Sequence, residues 1–282
     1  MQGWRVPPPK EPTKTKEELK RERERKVRSL LRYGYLRAER IKNAMLKVPR
    51  EDFMPQSYRD YAYLEVPFPL PGEEASISCP HSYPLFYEPL GLAGCGKTLR
   101  SPFDELRANG AALEIIRDFP FMLRLSKHEK HFFRTLLDEG HRFLEVGLGS
   151  GYGTALAREI VGNNGLVVSI EIDPLTFEYA RKNLEAAGYR DIVLVKGDGG
   201  LGYPKFSPYD RICITAACTE IPPPLLEHLK VGGMLIAPVL ERGVQNLVLH
   251  EKRESGFTRQ VLCEVLYVSL RGKYARSGKP AP

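Results

Sequence analysis

The sequence predicts an α/β fold, a doubly wound and mostly parallel seven-stranded sheet, on three observations. From His141 onward, short apolar runs bounded by glycine alternate with helical stretches, which is the pattern of strands joined by crossover helices. The first of these runs leads directly into FLEVGLGSGYG, Phe143 to Gly153, with glycines at 147, 149, 151 and 153. Acids then stand at the ends of successive runs: Glu145, the SIEID stretch of Ser169 to Asp173, and Asp198 in LVKGDGG. In open parallel sheets ligands bind outside the carboxyl ends of the strands, where a glycine loop admits them and an acid about 20 residues on accepts ribose hydroxyls.

The expected strands are RFLEVG, LVVSIEI, DIVLVKG, RICITAA, GMLIAPV, VQNLVLHEKR and VLCEVLYVSL, with helices over Thr154–Val161, Pro174–Ala187 and Pro222–Leu229. The last two strands have no helix between them and predict an antiparallel hairpin at one edge. Asp173 before Pro174 reads as a helix N-cap. Upstream, Met1 to Lys14 is rich in Pro and Lys and predicts a disordered tail. Thr15 with Glu18 forms a capping box ahead of a charged helix over Lys16–Leu31, stopped by Gly34, and acids interleaved with bases read as a solvated helix. A second helix spans about Arg37–Leu46, with Ile41, Met45 and Leu46 on one face and Pro49 beyond it.

The net charge of +7 over 282 residues resides at the ends: residues 1–50 carry 16 Lys or Arg against 6 acids, Arg271–Pro282 adds +4, and 51–270 sums to −7. The middle of the chain is therefore acidic, which argues against a nucleic-acid partner despite the overall sign. Five cysteines with no C-x-x-C pair indicate neither a disulfide framework nor a zinc site, and no metal is expected. The start lacks the apolar core of a signal peptide and no 18-residue apolar run occurs, so a cytoplasmic protein with no membrane segment is expected.

A dinucleotide fingerprint needs G-x-G-x-x-G, but the third position from Gly147 is Tyr152. What stands there, E-x-G-x-G-x-G from Glu145, resembles the cofactor loop of class I S-adenosylmethionine methyltransferases, whose ligand carries a sulfonium rather than a pyrophosphate. An acid beside the glycines suits a cation. Further upstream, VPREDFMP (Val48–Pro55), YLEVPFPLP (Tyr63–Pro71) and SISCPH (Ser76–His81) follow one another. In that order, with GDGGLGY, YDRICITAA and the closing VLYVSL behind them, they resemble the protein L-isoaspartate O-methyltransferase family, from about Arg25 to Tyr274.

That resemblance implies S-adenosyl-L-methionine as cofactor and isoaspartyl proteins or peptides as substrate, with methyl transfer to the free α-carboxylate; a monomer is expected. It implies that Glu171 holds the ribose hydroxyls and that Asp198 and Gly199 meet the adenine edge. Glu145, Gly147, Gly149, Ser150 and Gly151 would wrap the methionine end, while Ser76, Ile77 and Ser78 complete the cofactor site. Ser78 would orient the substrate carboxylate, and His81 and Tyr83 would border the peptide. A carboxylate is ionised at neutral pH, so no general base is called for. After the S-I-S-x-P-H motif this chain has Ser82, Tyr83, Pro84 and Phe86, where the family is commonly small and methionine-rich.

Between Leu92 and Gly140 the chain has about forty residues more than the family's short link. Gly91, Gly96, Lys97 and Thr98 there satisfy G-x-x-x-x-G-K-[ST], yet Pro84, Pro89 and Pro102 deny it the strand and long helix that a phosphate loop needs. SPFDELRANG and PFMLRLSKHE resemble translated palindromic repeats, which reads as a surface insertion with short helices at Asp104–Ile116 and Lys127–Leu137. The expected organisation is a tail at 1–14, N-terminal helices and a covering segment at 15–92, an insertion at 93–139, the S-adenosylmethionine-binding domain at 140–274 and a tail at 275–282. Two other readings remain: a tRNA adenine methyltransferase, or a catalytically degenerate S-adenosylmethionine-binding protein.

Overall fold

The computed structural model describes residues 6–88 and 139–275. The phosphate-loop match and the two insertion helices, and the outer parts of both tails, lie outside them. The sheet has seven strands: β3 (Arg142–Val146), β4 (Leu166–Glu171), β5 (Val193–Lys196), β6 (Tyr209–Ile214), β7 (Leu229–Glu241), β8 (Val244–Arg253) and β9 (Gly256–Glu264). Their order is β5-β4-β3-β6-β7-β8-β9. The pairs β5/β4, β4/β3, β3/β6 and β6/β7 are parallel, and β7/β8 and β8/β9 antiparallel. The chain winds outward from β3 to β5, then returns to place β6 on β3's other side. That reversal opens a crevice at the carboxyl end of β3, where the glycine loop begins.

The parallel strands are apolar almost throughout because both faces are covered. Phe143, Val167, Cys213 and Ile236 face one core, while Leu144, Val168, Ile212 and Leu235 face the other. Crossover helices α4 (Tyr152–Val161) and α5 (Pro174–Ala186) and the short α6 (Pro223–Glu227) complete the layers. Asp173 does cap α5, its Oδ1 accepting from the amides of Leu175 (3.0 Å) and Thr176 (2.9 Å).

The N-terminal region is α1 (Lys16–Arg32), α2 (Glu39–Lys47), a two-stranded ribbon of β1 (Phe68–Pro69) and β2 (Ser76–Ile77), and α3 (Ser82–Tyr87). The Thr15–Glu18 capping box is present in both directions. Two expectations change. Residues 6–14 were expected as part of a disordered tail, but Asp60 organises their end: it accepts from the Thr13 amide (2.8 Å) and hydroxyl (2.9 Å) and pairs with Lys10. Helix α1 is solvated on one side only. Leu19, Val27 and Leu30 are buried, a stripe at helical spacing that the surrounding charges masked in the sequence.

The last strand also differs. It was expected over Val261–Leu270, but β9 ends at Glu264 and begins at Gly256, because the hairpin pairs Arg253 with Gly256. Residues 265–270 leave the sheet edge. The Gln245 side chain holds both the amide (2.6 Å) and carbonyl (3.0 Å) of Tyr267, and Val268 and Leu270 bond to Ala217 beyond β6. The apolar run looked like a strand because it lies across the strand ends rather than among them.

Candidate active site

A cavity of about 690 Å³ opens at the carboxyl ends of β3 and β4, within the usual range for small-molecule sites. Its floor is Glu145 to Ser150, Gly153, Glu171, Gly199 and Thr215; one wall is Glu73 to Cys79 with His81 and Tyr83; another is Glu264 to Arg271; and Lys26, Ser29 and Leu30 of α1, with Tyr33 just after it, close the far end. The glycine loop passes close to β6. Gly147 is left-handed (φ +99°), and a Cβ there would lie 2.3 Å from Thr215 Oγ1, so only glycine lets the loop turn against that strand. The Thr215 hydroxyl in turn donates to the carbonyls of Val146 (3.0 Å) and Gly147 (2.9 Å).

Glu171, at the tip of β4, accepts from the Gly149 amide at 3.1 Å on Oε2 and from the Asp173 amide at 3.0 Å on Oε1. It joins loop and strand end at the cavity wall. Burial raises its pKa, and the amides of Asp173 and Gly149 oppose that rise. Glu145 lies deeper, 3% exposed. Its Oε2 accepts from the hydroxyls of Thr154 and Ser169. Burial pushes its pKa up to about 7, opposed by those two hydroxyls.

Ser76, Ile77 and Ser78 line the opposite wall. Pro80 made Ser78 a candidate helix cap in the sequence, but α3 starts at Ser82 and the residue before it is His81, which leaves the Ser78 side chain to the cavity. His81 Nδ1 lies 2.7 Å from Glu65 Oε2, and Lys26 Nζ 3.0 Å from Glu65 Oε1. Burial raises the Glu65 pKa, but His81 and Lys26 outweigh it and bring it to about 2. Two sequence candidates stand aside from the lining. Asp198 accepts from the Gly200 amide (2.9 Å) and the Lys273 amide (2.7 Å), so its carboxylate ties the C-terminal segment to the turn after β5 while Gly199 faces the cavity. Gly151 lies under the loop, against Leu184 of α5.

Three further residues complete the site, of which sequence reasoning missed Arg50 and Lys26. Arg50 is fully buried and donates to the carbonyls of Ala62 (2.7 Å) and Ser78 (2.6 Å), with its guanidinium over the rings of Tyr152 (5.4 Å) and Tyr83 (5.7 Å). Arg271 reaches Glu73 (3.0 Å) and Asp173 (3.3 Å), clasping both walls. Lys26 comes from α1. The VPRE motif flagged the neighbourhood of Arg50, but its partners lie 12 and 28 residues away, beyond any local pattern.

A parallel sheet with its switch point at a glycine loop that has Tyr152 in place of a dinucleotide site's third glycine, a buried acid beside that loop and another at the next strand tip, is the arrangement of a class I S-adenosylmethionine-dependent methyltransferase. The family model "Protein-L-isoaspartate(D-aspartate) O-methyltransferase (PCMT)" matches residues 21–100 and 126–275, leaving 101–125 unmatched inside the expected insertion. The chain belongs to the protein-L-isoaspartate (D-aspartate) O-methyltransferase family. Among its relatives are the protein-L-isoaspartate O-methyltransferase of Methanopyrus kandleri, 37% identical over 86% of this chain and 87% of that one, and that of Hyperthermus butylicus, 34% identical over 93% of both. A solved protein-L-isoaspartate O-methyltransferase superposes with a TM-score of 0.67 at 28% identity, covering 89% of this chain and 67% of that one. The protein is thus an S-adenosylmethionine-dependent protein carboxyl methyltransferase that acts on isoaspartyl residues.

Proposed function

We propose that the cavity performs this reaction by holding cofactor and peptide on opposite walls, with Ser78 between them. The cavity suits the cofactor: glycines at 147 and 149 form part of its floor, and a buried carboxylate waits at each of β3 and β4. Glu171 would take the ribose hydroxyls, Gly199 the adenine edge through its backbone, and Glu145 with Gly147, Gly149 and Ser150 the charged amino acid end. Ser76 and Ile77 close over it. When bound, S-adenosylmethionine supplies an electrophilic methyl group on a sulfonium.

The protein's own part is positional. The Ser78 hydroxyl orients the substrate α-carboxylate, and Arg50 fixes the Ser78 backbone from behind. His81 and Tyr83 border the peptide. Since the carboxylate is already ionised at neutral pH, the site needs alignment and exclusion of water rather than a base. On this reading the enzyme works as a monomer, every wall coming from one chain. A cytoplasmic setting is supported by four described cysteines that are all free. No helix among the described residues is long and apolar enough to cross a membrane.

The observation that carries this reading is the placement of Ser78 and Glu171 across one cavity. Transfer of labelled methyl to an isoaspartyl peptide, but not to its aspartyl isomer, with loss of at least tenfold in kcat in Ser78→Ala, supports it. Equal labelling of both isomers, or an unchanged kcat in the variant, contradicts it.

A further inference from the structure

At the peptide end of the cavity, Glu65, Cys79 and His81 each offer one ligand atom, and those three atoms lie within 4.8 Å of one another. All three residues line the cavity. We propose that they form a binding site for a zinc-type divalent cation, and that occupancy of this site inhibits methyl transfer.

The donor set selects the ion. Thiolate, imidazole and carboxylate together suit Zn²⁺ or Co²⁺ and not the hard cations Mg²⁺ and Ca²⁺, which favour oxygen alone. A tetrahedral ion with bonds of about 2.0–2.3 Å sets its ligand atoms roughly 3.3–3.7 Å apart. The widest pair therefore closes by about 1 Å, while His81 Nδ1 and Glu65 Oε2, now 2.7 Å apart, separate by a similar amount. Much of the arrangement is already held. Lys26 engages Glu65 through Oε1, leaving Oε2 on the side of His81. The His81 ring lies against Tyr35 with centroids 5.5 Å apart, which keeps Nδ1 directed at the carboxylate. Cys79 is buried and reduced.

On binding, the Cys79 thiol gives its proton to solvent and the sulfur donates to the metal. Nδ1 of His81 gives up its hydrogen bond to Glu65 and the neutral ring carries its proton on Nε2. Three protein ligands leave a fourth position, which faces the cavity. Ser78 is the neighbour of Cys79, so this open position sits where the substrate carboxylate is to be aligned. A carboxylate captured there donates a lone pair to the metal instead of attacking a methyl group, and inhibition follows. The spacing 65, 79, 81 matches no metal motif, and the trio exists only through folding of the segment before α3.

The inhibitory half rests on the functional reading above; the binding half does not. The test is therefore a titration of Co²⁺ into the metal-free full-length chain, followed by absorbance. One equivalent of cobalt with a near-ultraviolet thiolate charge-transfer band, displaced by Zn²⁺, is expected. Cys79→Ser should lose the band, Glu65→Gln and His81→Ala should weaken binding at least tenfold, and Cys218→Ser, at a buried thiol in the core on the other face of the sheet, should keep it. S-adenosylhomocysteine binding by each variant confirms that it is folded. No band with excess cobalt, or a band that survives in Cys79→Ser, overturns the site. Zinc should then inhibit methyl transfer with a midpoint matching its displacement of cobalt, reversed by a chelator; full activity with zinc bound overturns the inhibitory role.

Discussion

Arg50 shows how a single side chain can set the geometry of a site it does not line. Its planar fork satisfies two carbonyls on separate segments, Ala62 and Ser78, and no ammonium can donate in both directions from one plane. Arg50→Lys should lower stability by about 2–4 kcal/mol, as expected when buried carbonyls lose their donor, and reduce kcat for the isoaspartyl peptide while leaving S-adenosylhomocysteine affinity within twofold. Calorimetry and steady-state kinetics read the two effects, and equal losses in both binding and turnover would assign Arg50 to the fold alone. Glu145 makes a different prediction. The unfolded chain releases its proton near 4.5 and the folded protein near 7, so the folded state binds more protons between those values and stability falls as pH rises through that window. The cost at pH 8 is on the order of 3 kcal/mol. The melting temperature of Glu145→Gln relative to wild type should therefore rise between pH 5 and pH 8; a constant difference would show that Glu145 is ionised in the fold throughout.

Among the elements, the segment after β9 closes the cavity. Its end is latched at Gly272, which is left-handed at φ +103° and whose Cβ would lie 2.3 Å from Asp198 Cγ. Gly272→Ala should push Lys273 away from Asp198, loosen Arg271 from the opposite wall and weaken S-adenosylhomocysteine binding at least tenfold; unchanged affinity by calorimetry would mean that the latch does not bear on the cofactor site. The sequence showed the elements that local chemistry dictates. The capping box of α1, the Asp173-Pro174 start of α5 and the strands flanking the glycine loop fall where propensity, caps and burial agree. It did not show the departure of residues 265–270 from the sheet, since an apolar run reads alike whether it pairs with a strand or seals a cleft. Nor did it show where the Asp198 carboxylate points, because its partner, the Lys273 amide, is 75 residues away.

For the molecule as a whole, the ends of the expected insertion converge on one helix terminus. Glu88 accepts from the backbone amides of Arg37 and Ala38 at the start of α2, and Glu139 pairs with Arg40 in its first turn at 2.7 Å. A short link can therefore join them. Removal of Gly94 to Asp138 should leave methyl transfer within about threefold of the full chain, and lost activity in a folded deletion variant would give the segment a functional part. The charge pattern was legible as an acidic body with basic ends, but the basic N-terminal helix proved to be a cavity wall. The central claim is that acids at successive strand ends clasp the cofactor in this cavity, and the most direct test is calorimetric titration of S-adenosylhomocysteine into wild type and Glu171→Gln. One site per chain, weakened at least tenfold in the variant, is the predicted result; no heat in the wild type, or equal affinity in both, would contradict it.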